Sequence, residues 1–95
     1  MATFIVRVEL HDATVGDENY AKLHDEMSAR SFRREFGSSA SKRYKLPPEE
    51  YIRFADRTID EVLKGAKEAA AATGKEFTLL VTEYEEIRWH NLESA

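Results

Sequence analysis

The alternation of side chains near the start of the chain constrains the fold more than any other feature. Between Thr3 and Leu10, positions 4, 6, 8 and 10 are apolar and their neighbours are mostly polar. Successive side chains of a strand point to opposite sides, so this pattern predicts a strand with one buried face. The rest of the chain must therefore supply a layer that covers that face.

Two later segments have the spacing of amphipathic helices. Asp17 is a typical capping residue, and apolar residues at intervals of three and four behind it predict a helix that ends near Ser31. Thr58 and Glu61 fit a capping box, which predicts a second helix that ends at Gly74. The apolar stripes consist of Tyr20, Leu23 and Met27 in the first helix, and of Ile59, Val62, Leu63, Ala66, Ala69 and Ala70 in the second.

The segment between the helices predicts a β-hairpin. Residues 32–36 and 42–46 are rich in aromatic and charged side chains, and they flank a connection of small Gly, Ser and Ala residues. Pro47 and Pro48 then interrupt the pattern, because proline lacks the amide that a strand donates. The second strand of the hairpin is residues 42–46, residues 51–54, or both around a bulge, and the sequence leaves these alternatives open.

A last strand at residues 75–84 completes the order strand, helix, strand, strand, helix, strand. This order predicts an α+β, ferredoxin-like βαββαβ fold, with a four-stranded antiparallel sheet and two helices on one face. The length of 95 residues suits a single domain, residues 1–95, in which residues 85–95 form a C-terminal extension. The opposite face of the sheet is then open to solvent or a partner, and it carries Ile5, Arg7, Glu9, Thr78, Leu80 and Thr82.

Composition excludes several classes of protein. The chain has no cysteine, which excludes disulfides, thiolate catalysis and cysteine metal sites. No stretch approaches the roughly 18 apolar residues of a membrane span, and the strand pattern starts directly at the N-terminus. We therefore expect no membrane association, no signal peptide and a cytoplasmic location. Phosphate loops, dinucleotide-binding glycine motifs, nucleophile elbows and zinc-protease motifs are absent from the sequence.

A cationic segment between the helices is the first candidate site. From Arg30 to Lys45 there are six basic residues against Glu35 alone, within a chain whose net charge is −4. Basic side chains interleaved with aromatic ones suit an RNA backbone, and we assign phosphate contacts to Arg33, Arg34, Lys42, Arg43 and Lys45. The alternative is structural: the aromatic residues face the core, and the charges keep an edge strand from pairing with other chains.

His11 and Asp12, at the end of the first strand, are the candidate catalytic residues. His11 could act as a general acid or base near neutral pH, and Asp12 could hold a divalent metal together with its symmetry mate in a dimer. No motif supports a metal, so we expect no cofactor. A single carboxylate at this position is more typical of a residue that opens a turn through its own backbone bonds. The other candidate cation ligands, Glu83, Glu85 and Glu86, are more typical of a solvated turn.

Three apolar residues are candidates for an interface. Ile5 and Leu80 lie on the predicted open face of the sheet, where they could form a homodimer. Trp89 is the only tryptophan, and it either closes over the core or anchors an interface. His24 lies at the edge of the first helical stripe and is interpreted as a boundary residue.

The spacing of the core and turn residues resembles a small bacterial family of unknown function that is similar to the GhoS antitoxin group. The markers are residues 4–10, Tyr20, Leu23, His24, Met27, Ser31, Phe32, residues 44–48, Tyr51, residues 79–83 and Trp89. The resemblance implies a ferredoxin-like endoribonuclease that cuts a toxin messenger RNA. GhoS-type proteins are also similar to a small CRISPR-associated nuclease that pairs first-strand aspartates across a dimer. Asp12 stands just beyond the corresponding strand end, but the paired aspartates typical of that nuclease are absent here.

Two functional hypotheses follow. The first is an RNA-directed domain, in its finer form a GhoS-like antitoxin endoribonuclease. The second is a non-catalytic dimerisation or partner-binding module that uses the open face of the sheet. A regulator that binds a small molecule would need an apolar pocket, which the sequence does not reveal.

Overall fold

The computed structural model describes residues 2–39 and 42–95 and has an α+β architecture. Its elements are β1 (Ala2–Leu10), α1 (Glu18–Ala29), β2 (Glu35–Ser39), β3 (Lys42–Lys45), β4 (Glu50–Ala55), α2 (Ile59–Ala71) and β5 (Phe77–Tyr84). The prediction of two helices in an α+β fold is confirmed. Both segments proposed for the second hairpin strand, residues 42–46 and 51–54, contain a strand, β3 and β4 respectively. A turn at Pro47 separates the two strands, and the Glu50 amide closes it by donating to the Pro47 carbonyl at 2.9 Å.

The strands form two sheets instead of the predicted four-stranded one. β1 lies between β4 and β5 in an antiparallel three-stranded sheet, and β2 and β3 form a separate hairpin. Among the described residues, the backbone before the hairpin joins the larger sheet at a bridge in which Arg33 and Ile52 exchange two hydrogen bonds of 2.8 and 2.7 Å. The four-stranded sheet is therefore not formed, because β2 leaves β4 after this bridge and pairs with β3.

Both helices begin where their capping residues predict. The Asp17 carboxylate accepts hydrogen bonds from the amides of Asn19 and Tyr20 at the start of α1. The bond that it accepts from the Thr14 amide, together with these two, holds its pKa below its usual value. At α2 the Thr58 hydroxyl and the Glu61 carboxylate satisfy each other's backbone amides, as a capping box requires. α2 ends at Ala71, and Gly74 adopts the predicted left-handed conformation three residues later, with φ +79°.

The main core lies between the helices and one face of the sheet. The even-numbered residues Phe4 to Leu10 of β1 are all buried, as their alternation predicts. They pack against buried residues of both helices, namely Tyr20, Leu23, Met27, Val62, Ala66, Ala69 and Ala70. Both helices therefore cover the same face of the sheet, as predicted.

A second, smaller core covers part of the opposite face. Phe36 and Leu46 of the hairpin region bury Ile52, and Ile5 packs against them. Further half-buried residues join this cluster, namely Tyr44, Tyr84, Ile87 and Leu92. The expectation of an open reverse face is wrong at Ile5, because the aromatic residues of the hairpin need an apolar surface to bury against and this face supplies it.

The C-terminal segment closes onto the hairpin. The Lys45 amide donates to the Glu93 carbonyl at 2.9 Å, and the Ala95 amide donates to the Arg43 carbonyl at 3.0 Å. Residues 93–95 thus bond along the outer edge of β3 in the manner of a third strand. Within the described residues, no helix has both the length and the apolar character needed to cross a membrane.

Candidate functional site

The hairpin has two chemically different sides. Phe36 and Tyr44 are cross-strand partners and point towards the second core. Glu35 pairs with Lys45, and Gly37 pairs with Arg43. Because cross-strand partners share a side and neighbours alternate, Glu35, Arg43 and Lys45 lie on the opposite side, which we call the outer side of the hairpin.

The outer side is cationic and exposed. Arg43 forms an ion pair with Glu35 at 3.5 Å, but both side chains are about half exposed. Lys45 is exposed on this side, and Arg33 is exposed next to the bridge to β4. Lys42 is also exposed, at the start of β3, where alternation places it on the same side as Tyr44. Four of the five predicted phosphate-binding residues are therefore accessible to a ligand.

Arg34, the fifth predicted phosphate-binding residue, points elsewhere. Its Nη1 donates to Nε2 of His24 at 3.1 Å, and Nδ1 of His24 is hydrogen-bonded to the hydroxyl of Tyr51. Within residues 2–39 and 42–95, the buried Nε of Arg34 has no hydrogen-bond partner. We call His24, Arg34 and Tyr51 the histidine cluster.

The protonation state of the histidine cluster follows from its geometry. Arginine is always a donor, so Nε2 of His24 must accept, and the ring proton must lie on Nδ1, which donates to Tyr51. Burial and the adjacent Arg34 charge lower the pKa of His24, against a smaller opposing effect of Asp25. Burial also raises the pKa of Tyr51. The cluster therefore holds a neutral imidazole against the Arg34 guanidinium, for which the described residues supply no ion pair within 4.0 Å.

A second buried tyrosine, Tyr20, bonds to a polar group outside the histidine cluster. The hydroxyl of Tyr20 accepts from the Leu10 amide at 3.0 Å and donates to the Glu49 carboxylate at 3.4 Å. Glu49 also lies 3.8 Å from the guanidinium of Arg7. Burial raises the pKa of Tyr20, so its hydroxyl stays a donor at neutral pH.

Arg30 belongs to a different surface from the hairpin cations. It pairs with Glu26 at 2.9 Å, and its carbonyl accepts from Arg53, whose guanidinium lies 5.2 Å from the centroid of the Phe32 ring. These residues line a cleft of about 510 Å³ between the end of α1 and α2. The cluster of six cations seen in the sequence is thus divided among three surfaces.

His11 and Asp12 lie at the far end of β1 from the hairpin bridge. Nε2 of His11 lies 2.8 Å from Oγ1 of Thr78, and the Asp12 carbonyl accepts from the Lys75 ammonium at 3.1 Å. Asp12 has a φ of 55°, which is typical of aspartate in a turn. The bridge joins Arg33 to Ile52, and Ile52 pairs with Ile5 of β1. His11 lies six residues beyond Ile5 along the chain, which is roughly 20 Å in a strand.

The predicted carboxylate ligands Glu83, Glu85 and Glu86 do not form a metal site among the described residues. Glu86 pairs with Arg88 at 3.8 Å, and both side chains are highly exposed. Among the residues that the structure describes, no three His, Asp or Glu side chains come close enough together to hold a metal ion.

The three predicted interface residues differ in exposure. Ile5 lies under the hairpin, whereas Leu80 is 62% exposed. Trp89 packs with its ring edge-on to Phe36, with ring centroids 5.0 Å apart, and at 5.3 Å from Tyr44. It closes over the second core and still exposes 39% of its surface.

The histidine cluster is not apparent from the sequence. Spacing alone makes His24 a boundary residue, Arg34 a phosphate ligand and Tyr51 a strand residue. The one available signal was that His24 lies one position after Leu23 on the buried stripe, but the partner residues are ten and twenty-seven positions away. Local spacing cannot identify such a contact.

Comparison with protein-family models, curated proteins and solved structures finds no match to this chain.

Proposed function

We propose that this protein is an RNA-directed domain that contacts phosphates through the outer side of its hairpin. The residues that make these contacts are Arg43 and Lys45 on that side, with the exposed Arg33 and Lys42 at its margins. The observation that carries the proposal is the two-sided hairpin: Phe36 and Tyr44 point into the second core, while Arg43 and Lys45 remain in solvent, where Arg43 pairs with Glu35.

Stability does not account for these cations. Exposed ion pairs contribute about 0–1 kcal/mol, so the pair of Arg43 and Glu35 adds little to folding. Protection of an exposed strand edge is also a weak explanation, because residues 93–95 already bond to the outer edge of β3. Binding to a polyanion explains the concentration of positive charge, since lysine and arginine release counter-ions from phosphates.

The salt dependence of RNA binding tests the proposal. For three or four phosphate contacts to single-stranded RNA, log K should fall against log salt with a slope of about −2 to −3. Arg43→Gln and Lys45→Gln should each reduce this slope by about 0.7, whereas Lys67→Gln, an exposed lysine on α2, should leave it unchanged. Absence of binding even at low salt would refute the proposal.

The finer proposal is a GhoS-like antitoxin endoribonuclease with a ferredoxin-like fold. It is supported by the order of helices and strands, by the Arg33–Ile52 bridge at the position of a fourth strand, and by the sequence resemblance. His11 and Asp12 are then the proposed catalytic residues. Purified protein should cleave RNA, His11→Gln and Asp12→Asn should abolish cleavage, and Asp25→Asn, an exposed carboxylate on α1, should not.

The alternative function is a non-catalytic partner-binding module. It is favoured by the exposure of two large apolar residues on the reverse side of the sheet, Leu80 at 62% and Phe54 at 54%. Isolated exposed apolar residues are common, so this alternative requires an interface that includes them. RNA binding without any self-association would reject it.

A further inference from the structure

β5 is an edge strand whose outer side is unpaired within the described part of the chain. It is eight residues long and pairs with β1 alone. Among the other edges, Arg33 bonds to β4, residues 93–95 bond to β3, and β2 is only five residues long. Within the described residues, β5 is therefore the longest strand edge that remains free for an intermolecular ladder.

The backbone groups that face outward on β5 follow from its register. The His11 amide donates to the Glu76 carbonyl at 2.8 Å, at the end of the ladder between β1 and β5. Antiparallel partners alternate between bonded and non-bonded pairs, so Thr78, Leu80 and Thr82 bond to β1. The amides and carbonyls of Phe77, Leu79, Val81 and Glu83 then point away from the sheet.

The side chains along this edge give little protection against pairing, since Glu83 is the one charged residue between Phe77 and Tyr84. Natural edge strands are usually protected by lysine, proline, bulges or short length. The segment Phe77–Tyr84 contains no lysine or proline, and its register with β1 is continuous. Leu80 is the most exposed large apolar residue of the described chain, and a cleft of about 460 Å³ beside the strand includes Leu63, Ala71 and Phe77.

We propose that β5 pairs with β5 of a second copy of this chain, antiparallel and about a two-fold axis at Leu80. A two-fold axis normal to the sheet relates residues that lie on the same face of the sheet. Because odd- and even-numbered residues of β5 lie on opposite faces, each pair across the axis must consist of two odd-numbered or two even-numbered residues. With the axis at Leu80, Leu79 lies opposite Val81 of the second copy and Thr78 lies opposite Thr82. These pairs bring together like side chains, and Leu80 meets its own copy on the reverse face.

Continued one or two residues beyond β5, the same register brings together complementary charges at both ends of the interface. It would place Lys75 opposite Glu85 of the second copy, and the two-fold axis repeats this contact. The outward amides of Leu79 and Val81 each find a carbonyl partner, because both belong to the outward-facing set. The surface is therefore self-complementary in hydrogen bonds, apolar contact and charge, which is what a two-fold interface requires.

Sedimentation equilibrium from about 10 µM to about 1 mM tests the proposal. Wild-type protein should show a monomer–dimer equilibrium. Leu80→Lys places two ammonium groups together at the axis and should raise the dissociation constant about tenfold or more. Phe54→Lys is the matched control, since Phe54 is an exposed apolar residue on the opposite edge of the sheet, and it should leave dimerisation unchanged.

Charge exchange and hydrogen exchange separate this interface from other contacts. Glu85→Lys should weaken the dimer, and the double variant Lys75→Glu with Glu85→Lys should restore it. The Leu79 and Val81 amides should gain protection from hydrogen exchange as the concentration rises, while Thr78 and Thr82 should be protected throughout.

Three results would overturn the proposal. They are a wild-type monomer at every concentration, an equal loss of dimer in Leu80→Lys and Phe54→Lys, and a dimer without concentration-dependent protection of Leu79 and Val81. One of these results would also be expected if the dimer formed through the hairpin. The same holds if β5 pairs with an unrelated peptide in place of a second copy.

Discussion

Truncation of Trp89 to alanine should undock the hairpin from the sheet. Trp89 contacts the rings of Phe36 and Tyr44 and is 39% exposed, so about three fifths of its surface is buried. A tryptophan presents up to roughly 250 Å², which makes the buried part roughly 150 Å², or about 4 kcal/mol at about 25 cal/mol per Å². Alanine keeps part of this contact and the denatured chain hides some of the rest, so we expect a loss of about 2–3 kcal/mol.

Urea unfolding followed by far-ultraviolet circular dichroism measures this loss, because the variant has no tryptophan to report fluorescence. Trp89→Phe retains an aromatic ring and should lose about 1 kcal/mol. Val15→Ala is the control, since Val15 is an exposed apolar residue in the loop before α1 and should change stability by less than about 0.5 kcal/mol. If Trp89→Ala matches Val15→Ala, the tail does not hold the hairpin and the second core is incorrectly assigned.

Three further perturbations test individual contacts. The free energy of unfolding should fall as the pH drops below about 6.5, by at most about 1.4 kcal/mol per pH unit. The reason is that the folded state lowers the pKa of His24, so the unfolded chain binds the proton more tightly. His24→Gln should remove this dependence and His11→Gln should not. Gly65→Ala should stabilise the protein by about 0.5–1 kcal/mol in thermal unfolding, because the added methyl group meets Phe32 at an ordinary 3.7 Å; a loss of stability would show that the cleft beside α2 is tighter. Thr58→Ala should cost about 1 kcal/mol by urea titration through loss of the capping box, and no change would mean that α2 begins elsewhere.

The parts of the fold that depend on local pattern were predictable. Alternation in β1 and the caps at Asp17 and Thr58 identified one strand and two helices within a few residues. These signals are strong because backbone geometry repeats within each segment. The pairing of strands was not predictable in the same way: residues 35–39 can pair with β3 or with β4, and the choice depends on whether Phe36 finds an apolar surface.

The candidate site shows the same division between local and distant contacts. The sequence shows that cations and aromatic residues are interleaved in the hairpin, and the structure places Phe36 and Tyr44 on one side and Arg43 and Lys45 on the other. Arg34 could not be separated from its neighbours by sequence, because its partners His24 and Tyr51 come from α1 and β4. The cover over Ile5 was missed for a related reason, since residues 85–95 contain too few apolar residues to show where they pack.

The most direct test of RNA recognition is the amide spectrum of isotopically labelled protein during titration with a short single-stranded RNA. If the outer side of the hairpin binds phosphates, the largest chemical-shift changes should occur at Arg33, Lys42, Arg43 and Lys45 and should disappear at high salt. Phe4, Val6 and Val8, which are fully buried on the helix side, should not change. Changes confined to the helices, or no change at low salt, would contradict the assignment of the hairpin as the RNA-binding surface.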